Sequence, residues 1–432
     1  MPGVAARMRL TEGDQDFMRT ARASITHHSR LAASLAVAAL LGMSTSKATA
    51  QEPEPATREA VIETAQADKL PTLHPYVERK GERLMESLQN YLNGVHTGWH
   101  PFLESAYRGG GFAVGAGYQQ YVSPYNFIDV RGSYTVSGYK RVEAEFVAPR
   151  LFERRARLSV LGGWRDATQV GFYGIGTTGT SVNDRLNYAF RRPYASALLT
   201  VQPARNPWMV QGGAEWTKWD ERRPDPGTTP SVDTKFTPAT LAGLGADPTY
   251  LHAQGTVGFD WRTSPGYARR GGFYGVTAHE FHDRDSAFGF RQLDYEAIQH
   301  VPILREAWVL SLHAKASTTS KKVGEQIPFF MLPALGGGAD LRGFNSWRFR
   351  DRDSLLLQAE WRIMANRYFD TAVFYDAGKV TSRRADLDLH RLKSDYGFGA
   401  RFHAPFVNLL RIDVARSNER NLALVINTTA AF

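Results

Sequence analysis

The 432-residue chain contains no cysteine. That excludes disulfide staples, thiol catalysis and thiolate-ligated metals. Long hydrophobic runs are also missing. Beyond residue 50 no stretch approaches the roughly eighteen apolar residues of a spanning helix. There is no Gly-x-Ser-x-Gly elbow and no phosphate-binding loop, so the common signatures of hydrolases and nucleotide enzymes are absent. The net charge is +9, yet it forms no basic run and no nucleic-acid motif. The arginines are scattered, and no nucleic-acid partner is expected. Mean hydropathy is −0.36. A soluble protein has such a value, and so does a chain in which every second residue faces water.

What is present begins with a leader. Arg19, Arg22 and Arg30 form a basic segment, residues 31–43 are apolar, and Ala48-Thr49-Ala50 is a small-residue cleavage site before Gln51. This reads as a secretory signal peptide over residues 1–50. Met18 stands beside the basic segment, which leaves residues 1–17 open as an over-extended start. Residues 51–73 are polar and read as a disordered linker. Over residues 74–97, Val77, Leu84, Leu88, Tyr91, Leu92 and Val95 recur at spacings of three, four and seven. That spacing predicts an amphipathic helix. The segment from Tyr76 to Val95 would pack against the barrel, lie on the periplasmic membrane surface, plug the lumen or offer a face to a periplasmic partner. About fifty residues are too few for a folded domain beyond that helix.

From Gly98 onward the period changes to two. In residues 249–262, Leu251, Ala253, Gly255, Val257, Phe259 and Trp261 fall on one face. His252, Gln254, Thr256, Gly258, Asp260 and Arg262 fall on the other. Successive strand residues point to opposite sides of a sheet. The chain also carries 39 Gly, 24 Phe and 18 Tyr, residue types that barrel turns and interface girdles use. Fifteen strands are expected, over residues 111–121, 125–137, 139–148, 155–165, 183–201, 207–219, 249–262, 271–282, 287–300, 304–316, 354–364, 368–380, 396–404, 408–417 and 422–432. A short first strand within 99–107 makes sixteen, an even number as bacterial barrels require. Connections alternate between tight turns (123–124, 149–153, 204–206, 301–302, 404–407) and longer loops (166–182, 220–248, 317–352, 381–395). The mid-length turn 263–270 joins the short set. The fold class expected is therefore an all-β, sixteen-stranded antiparallel transmembrane barrel over residues 98–432. Its place is the bacterial outer membrane, among outer-membrane lipids and lipopolysaccharide.

The connection 317–352 is the most specific segment. Leu335-Gly336-Gly337-Gly338 precedes Leu341-Arg342-Gly343-Phe344. If the loop folds into the barrel, Arg342 enters a confined space and needs carboxylate partners. Parity offers two, Glu360 and Asp376. Gln358, Glu360 and Arg362 read inward, while Leu357, Ala359, Trp361 and Ile363 read outward. A bidentate arginine–carboxylate pair would hold the loop in one position.

The order of these motifs resembles the BamA/TamA superfamily of bacterial surface-antigen barrels. They are Leu-Arg-Gly-Phe at 341–344, Phe374-x-Asp376-x-Gly378, Gly397-x-Gly399-x-Arg401, Arg411-x-Asp413 and the terminal Phe432. Phe172-Tyr173-Gly174-Ile175-Gly176 and the turn from Asp260-x-Arg262 to Arg270-Gly271 fit as well. The resemblance implies a loop lock formed by Arg342, Gly343, Phe344, Glu360, Asp376 and Gly378. It also implies a weak seam between first and last strands that opens laterally to insert or translocate proteins or lipids. Unfolded outer-membrane or secreted proteins would be the clients. Relatives that handle such clients usually carry periplasmic client-binding domains. The alternative is a passive pore or surface-exposed structural antigen.

Phe432 would end an outward stripe with Leu424, Ile426, Thr428 and Ala430, and would act as a barrel-assembly signal. His279-Glu280-Phe281-His282 lacks zincin spacing, and on a strand its histidines face opposite sides. They read as rim polar residues. No metal, cofactor or catalytic residue is expected, and enzymatic function is not.

Overall fold

The computed structural model describes residues 97–202, 206–366, 368–404, 407–427 and 432. The expected leader, linker and helix lie outside the described residues, apart from Thr97.

The strands are β1 (Gly98–Pro101), β2 (Ala113–Tyr121), β3 (Phe127–Thr135), β4 (Lys140–Leu151), β5 (Ala156–Phe172), β6 (Leu186–Val201) and β7 (Trp208–Lys218). They continue with β8 (Asp220–Arg222), β9 (Thr249–Asp260), β10 (Gly271–Asp283), β11 (Phe290–Leu304), β12 (Trp308–Lys321), β13 (Ala334–Leu335) and β14 (Phe349–Arg350). The last are β15 (Asp353–Asn366), β16 (Phe369–Thr381), β17 (Lys393–Ala404), β18 (Val407–Ser417) and β19 (Ala423–Asn427). β13 and β14 pair with each other, Arg350 of β14 also bridging to Gly176, and β8 pairs with the outer end of β6. The other sixteen, β1–β7, β9–β12 and β15–β19, form an antiparallel up-and-down meander within one large sheet. Each expected strand has a counterpart in it. Among the described residues its first and last members, β1 and β19, span four and five residues.

The two faces of the sheet are inverted relative to a soluble protein. On β9, Leu251 and Val257 are 57% and 55% exposed, while their neighbours Tyr250, His252 and Thr256 are buried. On β15, Gln358, Glu360 and Arg362 are buried and Trp361 faces out, as their parity predicts. Apolar side chains thus cover the outside and polar ones fill the inside, the arrangement of a transmembrane barrel. At the end with short turns, Trp99, Tyr125, Trp208, Trp261, Trp308 and Tyr368 are exposed. Amphipathic rings of this kind favour a membrane–water interface.

The opposite end carries the long connections, and it is filled. β5 and β6 have 17 and 16 residues, beyond the about ten that cross a bilayer core. Their outer ends and the connections around them enclose an aromatic core that includes Phe172, Tyr188, Phe190, Trp219, Phe329 and Phe330. Tyr188 meets Phe329 edge-on at 4.9 Å, and Trp219 stacks on Phe330 at 5.4 Å.

Several boundaries shift by a few residues from the sequence reading, and two of the shifts have a visible cause. The loop expected from residue 166 begins only after Phe172, because Val170 and Phe172 are drawn into this aromatic core past an irregularity between Ala167 and Val170. The turn expected at Val301-Pro302 lies instead at Arg305-Glu306, both at positive φ. β11 continues through Pro302 because a register shift between Pro302 and Leu304 accommodates the residue without an amide proton.

Candidate functional site

The connection 322–352 folds back into the interior and brings Arg342 against the inner faces of β15–β18. β13 and β14 close its neck as a short ladder. Gly336 has φ 115, and a Cβ there would lie 2.3 Å from the Asn345 carbonyl oxygen, so the neck can close only around glycine.

Arg342 is 1% exposed. Its Nε donates to Asp376 Oδ2 at 2.7 Å and its Nη2 to Asp376 Oδ1 at 2.8 Å, a bidentate pair. Nη1 donates to Glu360 Oε2 at 2.8 Å and reaches Asp413 Oδ2 at 3.3 Å. The guanidinium lies over the Phe374 ring, 3.5 Å from its centroid, adding a cation–π contact in a desolvated place. Two further arginines complete the cluster. Arg401 Nη2 donates to Glu360 Oε2 at 2.6 Å and Arg401 also pairs with Asp413. Arg411 Nε lies 3.3 Å from Asp413 Oδ2. Three buried guanidinium groups therefore face three buried carboxylates, Glu360, Asp376 and Asp413. Balanced charge and charge-assisted bonds are what make such burial tolerable.

The small residues of the motifs are explained by close approach. A Cβ on Gly343 would lie 2.6 Å from Asp395 Cβ, and one on Gly378 would lie 2.7 Å from the Leu355 carbonyl oxygen. Phe344 is buried and does not touch the ions. It packs edge-on against Phe349 at 5.2 Å, within a cluster that includes Leu335, Leu341, Leu356 and Val380. The loop tip is thus held by an ionic side and an apolar side.

The loop also touches both ends of the meander. Toward the first strands, Arg108 in the β1–β2 connection pairs with Asp340 and donates from Nη1 to the Gly336 carbonyl at 3.2 Å. Trp347 Nε1 donates to the Arg108 carbonyl at 2.8 Å, and its ring stacks on Tyr107 at 4.6 Å. Toward the last strands, Ser417 Oγ donates to the Gly343 carbonyl at 2.8 Å. Arg348 Nε donates to Glu419 Oε2 at 2.6 Å, and Gly338 lies so close to Val425 on β19 that a Cβ would come within 2.6 Å. One connection therefore spans from the β1–β2 corner to β18 and β19.

All six expected loop-lock residues are gathered here: Arg342, Gly343, Phe344, Glu360, Asp376 and Gly378. Asp413, Arg401 and Arg411 belong to the same cluster but received no role from the sequence. Their signal was available, because 401, 411 and 413 have the inward parity of their strands. Arg108 has no such signal, since it sits in an irregular connection.

Phe432 lies elsewhere than its alternation implies. Leu424 and Ile426 do face out, at 61% and 62% exposure. The Phe432 ring instead stacks inside on His313 at 5.1 Å and lies 6.3 Å from the His300 ring. The outward stripe thus does not extend to Phe432. Histidines on the inner wall give its ring a flat partner there. Residues 428–431, including Thr428 and Ala430, lie outside the described residues. Of the two rim histidines, His279 approaches His252 at 3.0 Å on the inner side and His282 is exposed. Among the described residues no group of three or more metal-binding side chains occurs.

The family model described as the Omp85 superfamily domain matches residues 126–422. Among solved structures the fold is similar to BamA from Haemophilus ducreyi lacking POTRA domains 1-3. The TM-score is 0.53 at 14% identity, over 76% of this chain and 67% of that one. It is also similar to CdiB from Escherichia coli, with a TM-score of 0.50 at 13% identity, over 76% of this chain and 61% of that one. At these identities the likeness is one of fold. No curated protein matches the chain in sequence.

Proposed function

Since the chain belongs to the Omp85 superfamily, we propose that it is a bacterial outer-membrane barrel that inserts or translocates proteins, or lipids, by lateral opening. The sixteen-stranded meander closes on itself in this reading, and β1 and β19 form its seam. The connection 322–352 acts as a clasp across it. One observation carries the proposal. Arg342 is locked on Asp376, Glu360 and Asp413, while the same connection holds the β1–β2 corner through Arg108 and β18–β19 through Ser417 and Gly338. Releasing the clasp frees both sides of the seam together.

The aromatic core across the loop end argues against a permanently open pore. A structural antigen would need no clasp that bridges the two ends of the meander. The test is a comparison of outer-membrane and surface proteomes, and of lipid asymmetry, between a deletion strain and its parent. Loss of particular proteins, or of asymmetry, supports a dedicated transporter and names its clients. An unchanged membrane would sink the proposal and return the chain to the pore or antigen reading.

A further inference from the structure

The outward surface of β9–β12 carries a groove that the clasp does not use. Its rows can be read from the pairing register. In one row Gly255, Ala278, Leu293 and Thr318 lie side by side across the four strands. Three of the four are small, and the row leaves a trough of about 420 Å³. The next row toward the loop end is Ala253, Glu280, Arg291 and Ser320. Arg384, from the β16–β17 connection, also lines the trough, and the intervening Gln254, His279 and Gln292 of β9–β11 contribute to its floor. The row on the other side contains Val257, Val276 and Tyr295, all exposed. The outer wall thus grades from apolar, to a hollow of small residues, to a charged rim.

The rim carries excess positive charge. Glu280 accepts from Arg291, and Lys322 Nζ lies 2.9 Å from its other oxygen. One carboxylate is shared by two cations. Arg384 is exposed, and its guanidinium pairs with no described carboxylate. Arginine recognises phosphate with a planar, bidentate fork. An outward groove with an apolar floor and an arginine rim therefore matches a ligand that has both a hydrocarbon chain and a phosphate.

We propose that this groove binds a phosphorylated lipid of the surrounding leaflet, with a chain lying on the row of Gly255, Ala278 and Leu293 and a phosphate held between Arg291 and Arg384. Lys322, on the other oxygen of Glu280, adds a third positive charge to this rim. The small residues matter because a bulky side chain in that row would fill the trough. The site fixes a lipid against the outer face of β9–β12 and gives this part of the rim a defined headgroup. The inference rests on the outer-membrane reading above.

The experiment uses the full chain, purified in neutral detergent and stripped of lipid, with retention read by native mass spectrometry. The probes are a bis-phosphorylated glucosamine lipid, phosphatidylethanolamine, and the phosphorylated disaccharide without acyl chains. The doubly phosphorylated lipid should be retained best. Arg291→Ala with Arg384→Ala should weaken that retention about thirty-fold, the effect of two surface cations. Ala278→Trp, which fills the trough and leaves the charges, should weaken it as well. Both variants are checked for heat-modifiable gel mobility, so loss of fold is not mistaken for loss of the site. Equal retention by wild type and both variants overturns the proposal. So does equal retention of the acyl-free disaccharide, which would mean that free phosphate groups suffice. Because retention is read on purified protein, its failure leaves insertion or translocation standing. An unchanged deletion strain would in turn leave lipid retention standing.

Discussion

Arg342→Ala removes the centre of the buried cluster, and the structure says where the cost falls. Glu360 and Asp413 keep Arg401, and Asp413 also keeps Arg411. Asp376 loses both of its bidentate bonds and keeps Gln358 Nε2, at 3.2 Å, among its partners. Three carboxylates would then face two guanidinium groups. Breaking a buried ion pair on one side costs about 3–5 kcal/mol. At tenfold per 1.4 kcal/mol that is about two to three and a half orders of magnitude in the docking equilibrium of the loop. Arg342→Lys keeps the charge and loses the fork, so it should fall between wild type and alanine. Adding Asp376→Asn to Arg342→Ala removes the stranded charge and should restore part of the loss, a coupling of roughly 1–3 kcal/mol. The assay is the denaturation midpoint of heat-modifiable gel mobility, with single-channel current as a second readout. If Arg342→Ala matches wild type in both, the lock reasoning is wrong. If the double variant is simply the sum of the two singles, the stranded-charge argument is wrong.

Three other outcomes follow from the same geometry. Gly343→Val forces a side chain into Asp395 and Ser417, and should lower the denaturation midpoint by an overpacking cost of about 1–3 kcal/mol; an unchanged midpoint would mean the tip is not held so closely. Burial pushes the Glu221 carboxyl up from 4.5 to about 7, with Asp233 and Asp220 adding to the effect and the Gly245 N–H opposing it. The folded cap therefore keeps this proton while the unfolded chain releases it near 4.5, so stability is greatest below that pH and falls as pH rises toward 7. Proteolysis of the connection 219–248 should speed up across that window, and Glu221→Gln should flatten the profile; an equal slope in the variant would assign the effect to other groups. Phe432→Ala removes the ring stacked on His313 and should raise the rate at which reagents modify His313 from inside, whereas an unchanged rate would mean the ring does not shield it.

How much of this was legible in the sequence depends on whether a residue sits on a strand. Parity placed Glu360 and Asp376 inward correctly, because a strand has only two faces and the outward one was plainly apolar. The same rule would have found Asp413, Arg401 and Arg411, had the motif around them been read for direction as well as order. Arg108 and Trp347 were beyond reach. Both lie in irregular connections, and only the folded path of the loop shows that residues so far apart meet. The length of β5 was misjudged for a related reason. Asp166 and Thr168 look like loop residues, but Val170 and Phe172 are pulled into an aromatic core whose other half lies in the connection 322–352. Phe432 shows the limit of alternation. A stripe of exposed Leu424 and Ile426 says nothing about whether the period survives to the last residue. The outward groove was hidden because Gly255 and Ala278 satisfy the apolar pattern and differ from their neighbours only in size.

For the protein to work as proposed, the connection 322–352 must let go of the β1–β2 corner. Cysteines introduced by Arg108→Cys and Asp340→Cys can test it directly, since the native chain has no cysteine to interfere. A deletion strain carrying this variant should show the deletion's membrane profile while the pair is crosslinked, and the parental profile once it is reduced. A crosslinked chain that fully restores the parental profile would contradict the claim.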